Sequence, residues 1–290
     1  MSAALSERIA EALYLRSARI EGLRGGALSS TAKIVGPSNE CYFLKCLTKG
    51  DPRQLPAEAR ALGLLSETGG MRVPRVHAVD AEFLVLEWIE PAPATGIGAR
   101  RLGEELARMH QCEGPRWGQA HDTWCGLTRH PAAWHSTLEG WFREERLERM
   151  RGLLREQGRL TSALASNLDT ISDHLGHWLS GVDEKPALCH GDLWGGNWLN
   201  TDANLPHVID PAPVYGIRDA DLSMAELFGG FPSEFLEAYE VHFPRSPGYR
   251  MRQALLDLPV LLNHAVLFGG GYISQCERAA GSLVKEAGRK

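Results

Sequence analysis

Residues 188–200 read LCHGDLWGGNWLN and bring a histidine, an aspartate, asparagines, glycines and tryptophans into one predicted turn. If the stretch is only a connector, Asp192 and Asn197 serve as caps of that turn. Cys189 and His190 could begin a zinc site, but no further cluster of His and Cys stands at ligand spacing. The residues downstream of this stretch decide between a connector and a catalytic centre.

Asp210 supplies the deciding observation, because it ends a short hydrophobic strand downstream of this stretch. An aspartate that takes a proton from a hydroxyl, an asparagine oxygen and a second carboxylate together form a set for phosphoryl transfer. The two oxygen donors suit Mg²⁺, whose other ligands are usually water and phosphate oxygens. His190, Asp192 and Asn197 match the H-x-D-x-x-x-x-N loop of protein kinases, and Asp210 stands where kinases have a metal-binding aspartate. The combination favours a catalytic centre.

The composition is that of an ordinary globular protein and narrows the choice of partners. The chain has 290 residues, of which 43% are hydrophobic and 23% charged, and this length suits two lobes better than one compact core. The net charge is -5, and glutamates are interleaved with the arginines of residues 143–159, which predicts a solvated helix face. A nucleic-acid site would need a basic patch, so we expect no nucleic-acid partner. The sequence carries no signal for a particular oligomeric state.

The cysteines and the apolar stretches indicate a reducing compartment and no membrane segment. Six cysteines are scattered along the chain without a C-x-x-C pair, which favours neither disulfides nor a zinc site. Residues 1–15 carry charges and lack the long apolar core of a signal peptide. Residues 254–273 are interrupted by Asp257 and Pro259 and are typical of a buried C-terminal helix. We therefore expect a cytoplasmic protein that does not bind membranes.

The order of predicted elements divides the chain into two lobes. Residues 1–90 contain a short helix at 5–16, the strand CYFLKCL, the helix QLPAEARALGLLSE and the strands MRVPRVHAVD and EFLVLEWIE. EPAPATG breaks this pattern, and residues 91–290 are mainly helical. The predicted fold class is α+β, a protein-kinase-like two-lobe fold. It has a small N-terminal nucleotide-binding lobe with an antiparallel sheet and one helix, and a larger, mainly helical C-terminal lobe for catalysis and substrate binding.

A kinase-like site also requires a lysine with an acidic partner from the first lobe. Lys45 lies within the strand YFLKCL, where an inward lysine needs a partner because a buried unpaired charge is costly. Glu58 on the following helix is the natural partner, and the pair would hold the nucleotide phosphates. Lys33 precedes this strand and is expected to face solvent.

The nucleotide needs two further contacts from this lobe. The turn that contains Gly25, Gly26 and Ser29 either brings backbone N–H groups to a phosphate or is an ordinary hairpin. The segment LVLEWIEP is the predicted hinge, where the backbone of Glu87 and Ile89 would contact the adenine edge. In the second lobe, residues 115–141 form a predicted loop rich in tryptophan that either lines a pocket or anchors itself in the core.

Several longer motifs make the sequence recognisable. HGDLWGGN, IDPAPVYG, RDADLSMAELFGGF and LLNHAVLFGG, together with GGALSS, WCGLT and WFREERL, closely resemble the fructosamine kinase, or ketosamine kinase, family. This family belongs to the aminoglycoside-phosphotransferase-like branch of the kinase fold. HGD with a downstream asparagine is shared by many small-molecule kinases, whereas the full combination is much narrower. The match covers nearly the whole chain.

The resemblance implies a role for each matching residue. Asp192 would be the base toward a sugar hydroxyl, Asn197 and Asp210 would bind Mg²⁺, and Lys45 with Glu58 would position the phosphates of ATP. The substrate pocket would include Trp194 and Trp124, and the secondary ammonium of the substrate would contact Asp219 or Asp122. His190 and Asp221 would brace the catalytic loop, although Asp221 also suits the N-cap of the following helix.

The chain departs from the family pattern beside these residues. The family usually has serine where this chain has Gly195, which adds backbone freedom beside the base. The family usually has a tyrosine or another large residue where this chain has Pro213 or Val214. Neither change removes a catalytic atom, so both are expected to affect substrate preference and not phosphoryl transfer.

The resemblance implies an ATP- and Mg²⁺-dependent kinase that phosphorylates O3' of a small or protein-linked ketosamine and so promotes deglycation. One alternative is another small-molecule kinase, acting on an aminoglycoside, choline-like or homoserine-like alcohol. A nucleotide-binding pseudokinase is a second alternative, and the presence of every expected catalytic residue argues against it.

Overall fold

A computed structural model describes residues 3–16, 18–23, 30–47, 50–182 and 185–288. The N-terminal part is a five-stranded antiparallel sheet in the order β1-β2-β3-β5-β4. Its strands are β1 (Arg19–Gly22), β2 (Ser30–Val35), β3 (Cys41–Cys46), β4 (Val76–Val79) and β5 (Phe83–Glu87). Two helices accompany them, α1 (Ala3–Ala12) and α2 (Gln54–Glu67).

The alternation of side chains along β3 and β5 places one helix against each face of this sheet. Phe83 and Val85 of β5 pack in the cluster that contains Ile9 of α1. Leu84 and Leu86, which point the other way, pack in the cluster that contains Leu55 and Leu62 of α2. The same alternation on β3 sends Leu44 toward α1 and Lys45 toward α2. The position of Lys45 in its strand therefore directs it at the helix that carries Glu58.

The C-terminal part is mainly helical and begins after the segment that follows β5. Thr95 accepts a hydrogen bond from the backbone N–H of Gly98 and so caps the first of these helices. The helices are α3 (Gly96–Met109), α4 (Leu138–Trp141), α5 (Arg149–Glu156), α6 (Ser162–Asp173), α7 (Leu175–Leu179), α8 (Asp219–Phe228), α9 (Glu234–His242), α10 (Tyr249–Phe268) and α11 (Gly271–Ala287). A π-helical turn (Phe142–Glu148) connects α4 to α5.

Short strands complete this part, and two of them overlap the ends of residues 188–200, the segment that we call the catalytic loop. They are β6 (Trp117–Gln119), β7 (Thr123–Cys125), β8 (Thr128–His130), β9 (Ala133–His135), β10 (Ala187–Cys189), β11 (Trp198–Leu199), β12 (His207–Val208) and β13 (Val214–Gly216). Strands β10, β13, β6 and β9 form one sheet, while β7 pairs with β8 and β11 with β12. The predicted loop at 115–141 is thus a set of short strands, each too brief for a readable alternation.

The predicted α+β organisation, with the sheet first and the helices after it, is confirmed. Three expectations of detail are wrong. Lys33 lies on β2 and packs over the Trp88 ring at 4.2 Å, whereas solvent exposure was expected. Residues 254–273 form the end of α10 and the start of α11 with a break at Gly269 and Gly270, where one helix was expected. The face at 143–159 is only partly solvated, because Arg146 packs over the Trp141 ring at 4.7 Å. Across the described part of the chain, no helix combines the length and apolar character needed to cross a bilayer.

Candidate active site

The catalytic loop, residues 188–200, begins in the buried strand β10, and its own apolar side chains anchor it in the core. Leu188, Leu193 and Trp198 are buried in one cluster of the helical part. Gly191 is required between them, because its φ is +81° and a Cβ there would lie 2.0 Å from the carbonyl oxygen of Ala212. With the loop anchored in this way, Asp192 and Asn197 line the cleft.

Asp192 and Asn197 are held together within this loop. The Asn197 side-chain nitrogen donates to the backbone oxygen of Asp192 at 2.8 Å and to its carboxylate at 3.1 Å. The backbone N–H of Asp192 donates to Nδ1 of His190 at 3.2 Å, so His190 braces the loop from within. Burial, reinforced by the nearby charge of Asp210, raises the pKa of Asp192 to about 7. A carboxylate with such a pKa is suited to accept a proton near neutral pH.

The carboxylate of Asp210 connects the catalytic part of the protein to the first lobe through a hydrogen bond from Lys45. It follows β12 with a left-handed backbone conformation, φ +53°, which is uncommon for a residue other than glycine. Lys45 Nζ donates to the Asp210 carboxylate and to Glu58, each at 2.7 Å. Burial opposes the charge on Lys45, but the two carboxylates outweigh it and raise the pKa of the amine. Lys45 therefore remains a cation between the two parts of the molecule.

Asp221 braces the catalytic loop from helix α8. Its carboxylate accepts the backbone N–H of His190 at 2.6 Å and that of Gly191 at 3.0 Å. Nε2 of His110 lies 3.2 Å from the same carboxylate. These hydrogen bonds outweigh burial and hold the pKa of Asp221 below its usual value. Arg218, not Asp221, occupies the N-cap position of α8, so the capping interpretation is wrong.

Aromatic side chains wall the cavity in front of Asp192. The cavity has a volume of about 490 Å³ and reaches from the Lys45–Glu58 pair to the end of α10. Trp194 is 41% exposed and contacts Phe228 edge-on at 6.4 Å, while Trp124 is buried and lines the same cavity. Both predicted pocket tryptophans therefore line the cleft, and Phe228 and His264 are wall residues that sequence reasoning missed.

The predicted hinge lies at the end of β5. The backbone N–H of Glu87 donates to the carbonyl oxygen of Arg75 at 2.8 Å. Of the two backbone polar groups of Glu87, only the carbonyl oxygen is therefore left for a nucleotide. Within the described residues, the backbone N–H of Ile89 makes no hydrogen bond. The predicted phosphate turn, Gly25, Gly26 and Ser29, lies outside the described residues.

Neither of the two aspartates expected to hold the substrate's ammonium group lines the cavity in front of Asp192. Asp219 is fully buried, where it pairs with Arg252 at 2.8 Å and accepts the hydroxyl of Ser246. Asp122 accepts hydrogen bonds from Arg129 at 2.8 Å and from the backbone N–H of Ala132 at 2.9 Å. Both expectations are wrong, because each carboxylate already has partners that single-sequence reasoning did not connect to it.

Gly195 has a different explanation from the expected gain in backbone freedom. A Cβ at this position would lie 2.5 Å from the Cα of Gly230. The Gly195 N–H also donates to the carbonyl oxygen of Gly229 at 3.0 Å. The glycine is needed because the catalytic loop and the end of α8 touch through their backbones.

The donor set of Asn197 and Asp210 fits a magnesium ion. The Asn197 amide nitrogen is already bonded to Asp192, so the amide oxygen is the atom left to a ligand. Asp210 contributes a carboxylate, and its pKa is lowered because Lys45 outweighs the effect of burial. Two hard oxygen donors beside a cavity are what Mg²⁺ takes from a protein when phosphates supply the rest.

Comparison with known proteins shows the family to which this chain belongs. The family model described as fructosamine kinase matches residues 1–286. The chain belongs to the fructosamine kinase family. A probable ketoamine kinase of Synechocystis is 36% identical over 259 residues, which cover 88% of this chain and 86% of that protein.

Solved structures show which proteins share the fold of this chain. The crystal structure of a candidate fructosamine-3-kinase from Thermobifida fusca superposes with a TM-score of 0.88 at 29% identity, and the match covers 98% of this chain and 100% of that one. An ADP-bound aminoglycoside phosphotransferase matches with a TM-score of 0.65 at 14% identity, over 98% and 99% of the two chains. The protein-kinase-like fold class is confirmed, and this fructosamine kinase is a phosphotransferase.

Two residues of the fructosamine kinase site were not predicted. Cys125, at the end of β7, lines the cavity together with Asp192. Asn263 of α10 donates its side-chain N–H to the Cys125 sulphur at 3.1 Å. The motifs WCGLT and LLNHAVLFGG contain both residues, but no spacing rule connects either one to Asp192.

Proposed function

We propose that the chain transfers the γ-phosphoryl group of ATP to the O3' hydroxyl of a ketosamine, such as a fructosamine or ribulosamine adduct. The observation that carries the proposal is the convergence of Asp192, Asn197, Lys45 and Asp210 on one cavity. Phosphoryl transfer depends mainly on positioning and on charge stabilisation, and this arrangement supplies both. Membership of the fructosamine kinase family supports a ketoamine as the acceptor.

Asp192 is the proposed base. Its carboxylate would take the proton of the O3' hydroxyl as the hydroxyl oxygen bonds to the γ-phosphorus. The bond between that phosphorus and the bridging oxygen of ADP breaks in the same step, and ADP leaves. Asn197 keeps the carboxylate in place through its amide N–H at 3.1 Å. The pKa of about 7 leaves a large fraction of Asp192 ionised at neutral pH.

Lys45 is the proposed phosphate-positioning residue. Its side chain is 13% exposed and that of Glu58 is 10% exposed, so the ion pair is poorly screened by water and holds the ammonium group in one place. Asn197 and Asp210 would hold Mg²⁺, which when bound stabilises negative charge on the phosphates.

The first lobe would hold the rest of the nucleotide. The free N–H of Ile89 and the carbonyl oxygen of Glu87 are the proposed contacts with the adenine edge, with the boundary between the lobes near residue 90. Gly25, Gly26 and Ser29 remain the proposed phosphate turn. The ADP-bound aminoglycoside phosphotransferase, which has the same fold, supports the binding of a nucleotide by this chain.

Trp194 and Trp124 are the proposed walls of the sugar pocket. Phosphorylation at O3' would make the adduct labile, because phosphate leaves more readily than hydroxide when the enaminol tautomer of the sugar eliminates its C3 substituent. Water then cleaves the resulting imine and releases the amine. The proposed role is therefore deglycation. All six cysteines are free thiols, which supports the proposed cytoplasmic location.

A panel of acceptors tests the proposal. Fructose-lysine, ribulose-lysine and kanamycin would be incubated with ATP and Mg²⁺, and the phosphate position would be read by NMR from the coupling of phosphorus to the sugar protons. We expect phosphorylation of at least one ketosamine at O3'. Phosphorylation of kanamycin and of neither ketosamine would refute the proposal and favour an aminoglycoside-type kinase.

A further inference from the structure

A second cavity lies beside the catalytic loop, and we name it the Arg146 cavity after the one arginine in its wall. Its volume is about 80 Å³, which is room for a group of a few non-hydrogen atoms. Arg146 comes from the π-helical turn Phe142–Glu148, and such turns are rare and often occur at functional sites. Cys125 and Asn263 line both this cavity and the catalytic one, and Gly191 of the catalytic loop also lines it. The Arg146 cavity is therefore a neighbour of the place where the acceptor is expected to bind.

The guanidinium of Arg146 has no anionic partner among the described residues. It forms no hydrogen bond or ion pair with them, and it packs over the Trp141 ring at 4.7 Å. Two acids line the same cavity, but both already have partners. Glu145 is paired with Arg149 at 2.7 Å, and Asp221 accepts two backbone N–H groups of the catalytic loop. Because an arginine remains charged even when it is largely shielded from water, Arg146 favours a counter-ion in the cavity.

Three buried polar atoms of the cavity wall also lack a hydrogen-bond partner within the part of the chain that the structure describes. They are Nε1 of Trp141, Nδ1 of His130 and Oδ1 of Asn263, whose residues are 2%, 8% and 5% exposed. Almost all buried polar atoms in folded proteins are hydrogen-bonded, so we expect the contents of the cavity to supply the partners. The indole N–H can only donate and therefore adds a second donor to the guanidinium. The Asn263 oxygen can only accept and suits a water or a hydroxyl group.

The electrostatic environment of the cavity favours a negatively charged ligand. Burial, reinforced by the charges of Arg146 and Arg149, lowers the pKa of His130 to about 3. The imidazole is therefore neutral at physiological pH and can donate one N–H to a ligand. Apolar side chains form much of the remaining wall, which weakens the screening of the Arg146 charge. An anion in the cavity would thus meet up to three donors and one full positive charge.

We propose that the Arg146 cavity binds a small oxyanion such as a carboxylate, with Arg146 as its counter-ion and the Trp141 indole N–H as a second donor. Two sources of the anion fit this chemistry. One is a carboxylate of the acceptor, as in the ketosamine of a free amino acid, and this source rests on the proposed function. The other is a free anion that binds beside the catalytic loop. The anion site itself does not depend on which acceptor is phosphorylated.

Formate is the probe for this site in the full-length protein. At about ten times its dissociation constant, formate should raise the midpoint of thermal unfolding of the wild type by about 2–3 °C. The shift should vanish in Arg146→Met and persist in Arg155→Met, which removes the same charge from an exposed position of α5. Arg146→Lys keeps the charge without the planar fork and should show a smaller shift. In the wild type, formate should also move the indole N–H NMR signal of Trp141 downfield.

A pair of acceptors distinguishes the two sources of the anion. They are the glycine and the methylamine adducts of whichever sugar the wild type phosphorylates, which differ by one carboxylate. If the acceptor supplies the anion, Arg146→Met should lower kcat/KM for the glycine adduct about tenfold to a hundredfold, mainly through KM. The methylamine adduct should then stay within about twofold of wild type. If a free anion is the ligand, the two adducts should respond alike to Arg146→Met while the formate shift is lost.

The proposal is overturned if formate has the same effect, or none, on the wild type and Arg146→Met and the two adducts also respond alike. Should Arg146→Met fail to fold, an unmoved Trp141 signal together with equal responses of the two adducts to Arg146→Lys overturns it. A wild type that phosphorylates kanamycin alone refutes the ketosamine function. The formate shift and its loss in Arg146→Met still test the anion site in that case, because neither requires phosphoryl transfer.

Discussion

Replacing Asp221 with alanine should lower both the temperature at which the protein unfolds and its kcat. The carboxylate accepts two backbone N–H groups, from His190 at 2.6 Å and Gly191 at 3.0 Å, and faces His110 at 3.2 Å. Each buried donor left without an acceptor costs about 1–3 kcal/mol, so we expect a loss of about 3–5 kcal/mol in the free energy of unfolding. For a chain of this size the midpoint of thermal unfolding should fall by about 5–10 °C.

The loss is measured by urea unfolding, followed through fluorescence of the eight tryptophans. Asp202→Ala makes the same chemical change at an exposed position and should alter the free energy of unfolding by less than about 0.5 kcal/mol. Asp221→Asn keeps one acceptor oxygen and should fall between the two. Because a displacement of about 1 Å at the base can cost about a hundredfold in rate, kcat of Asp221→Ala should fall at temperatures where the variant is still folded. A stability for Asp221→Ala equal to that of Asp202→Ala would refute the bracing role.

The other contacts of the site lead to three further predictions. The pKa of Asp192, raised to about 7, means that kcat should fall about tenfold per pH unit below pH 7 as the base becomes protonated. A pH–rate profile that stays flat down to about pH 5 would contradict this assignment. Lys45→Met should weaken ATP binding measured by calorimetry and lower kcat/KM about a hundredfold, whereas the same loss of charge elsewhere, Lys285→Met, should not. Gly195→Ala should lower the thermal midpoint by about 2–6 °C, because its Cβ would meet Gly230. Gly152→Ala, with open space around it, should raise the midpoint slightly. Equal effects of the two changes would contradict the close contact.

The parts of the site that lie within short sequence distances could be predicted from the sequence. His190, Asp192 and Asn197 share one loop, and their spacing alone indicates the kinase pattern. Lys45 could be paired with Glu58 because an inward lysine on a strand needs a nearby acid on the next helix.

The remaining parts depend on contacts between segments that are distant in sequence. Asp219 was misassigned because its partner Arg252 lies on another helix, and nothing in either segment indicates the ion pair. Cys125 was missed as a cavity residue because it lies on a hairpin of three-residue strands, which are too short to show a period. Gly195 was expected to add backbone freedom, whereas the structure shows that a side chain at this position would collide with the backbone of Gly230.

The role of Asp192 as the base for transfer to a ketosamine underlies the whole proposed reaction. ADP formation that depends on fructose-lysine or ribulose-lysine should be measured for wild type and Asp192→Asn, with ATP binding verified in both. We expect the variant to bind ATP still, while acceptor-dependent ADP formation falls by at least about a thousandfold, because the amide cannot take the hydroxyl proton. Undiminished ADP formation in Asp192→Asn would show that Asp192 is not the base.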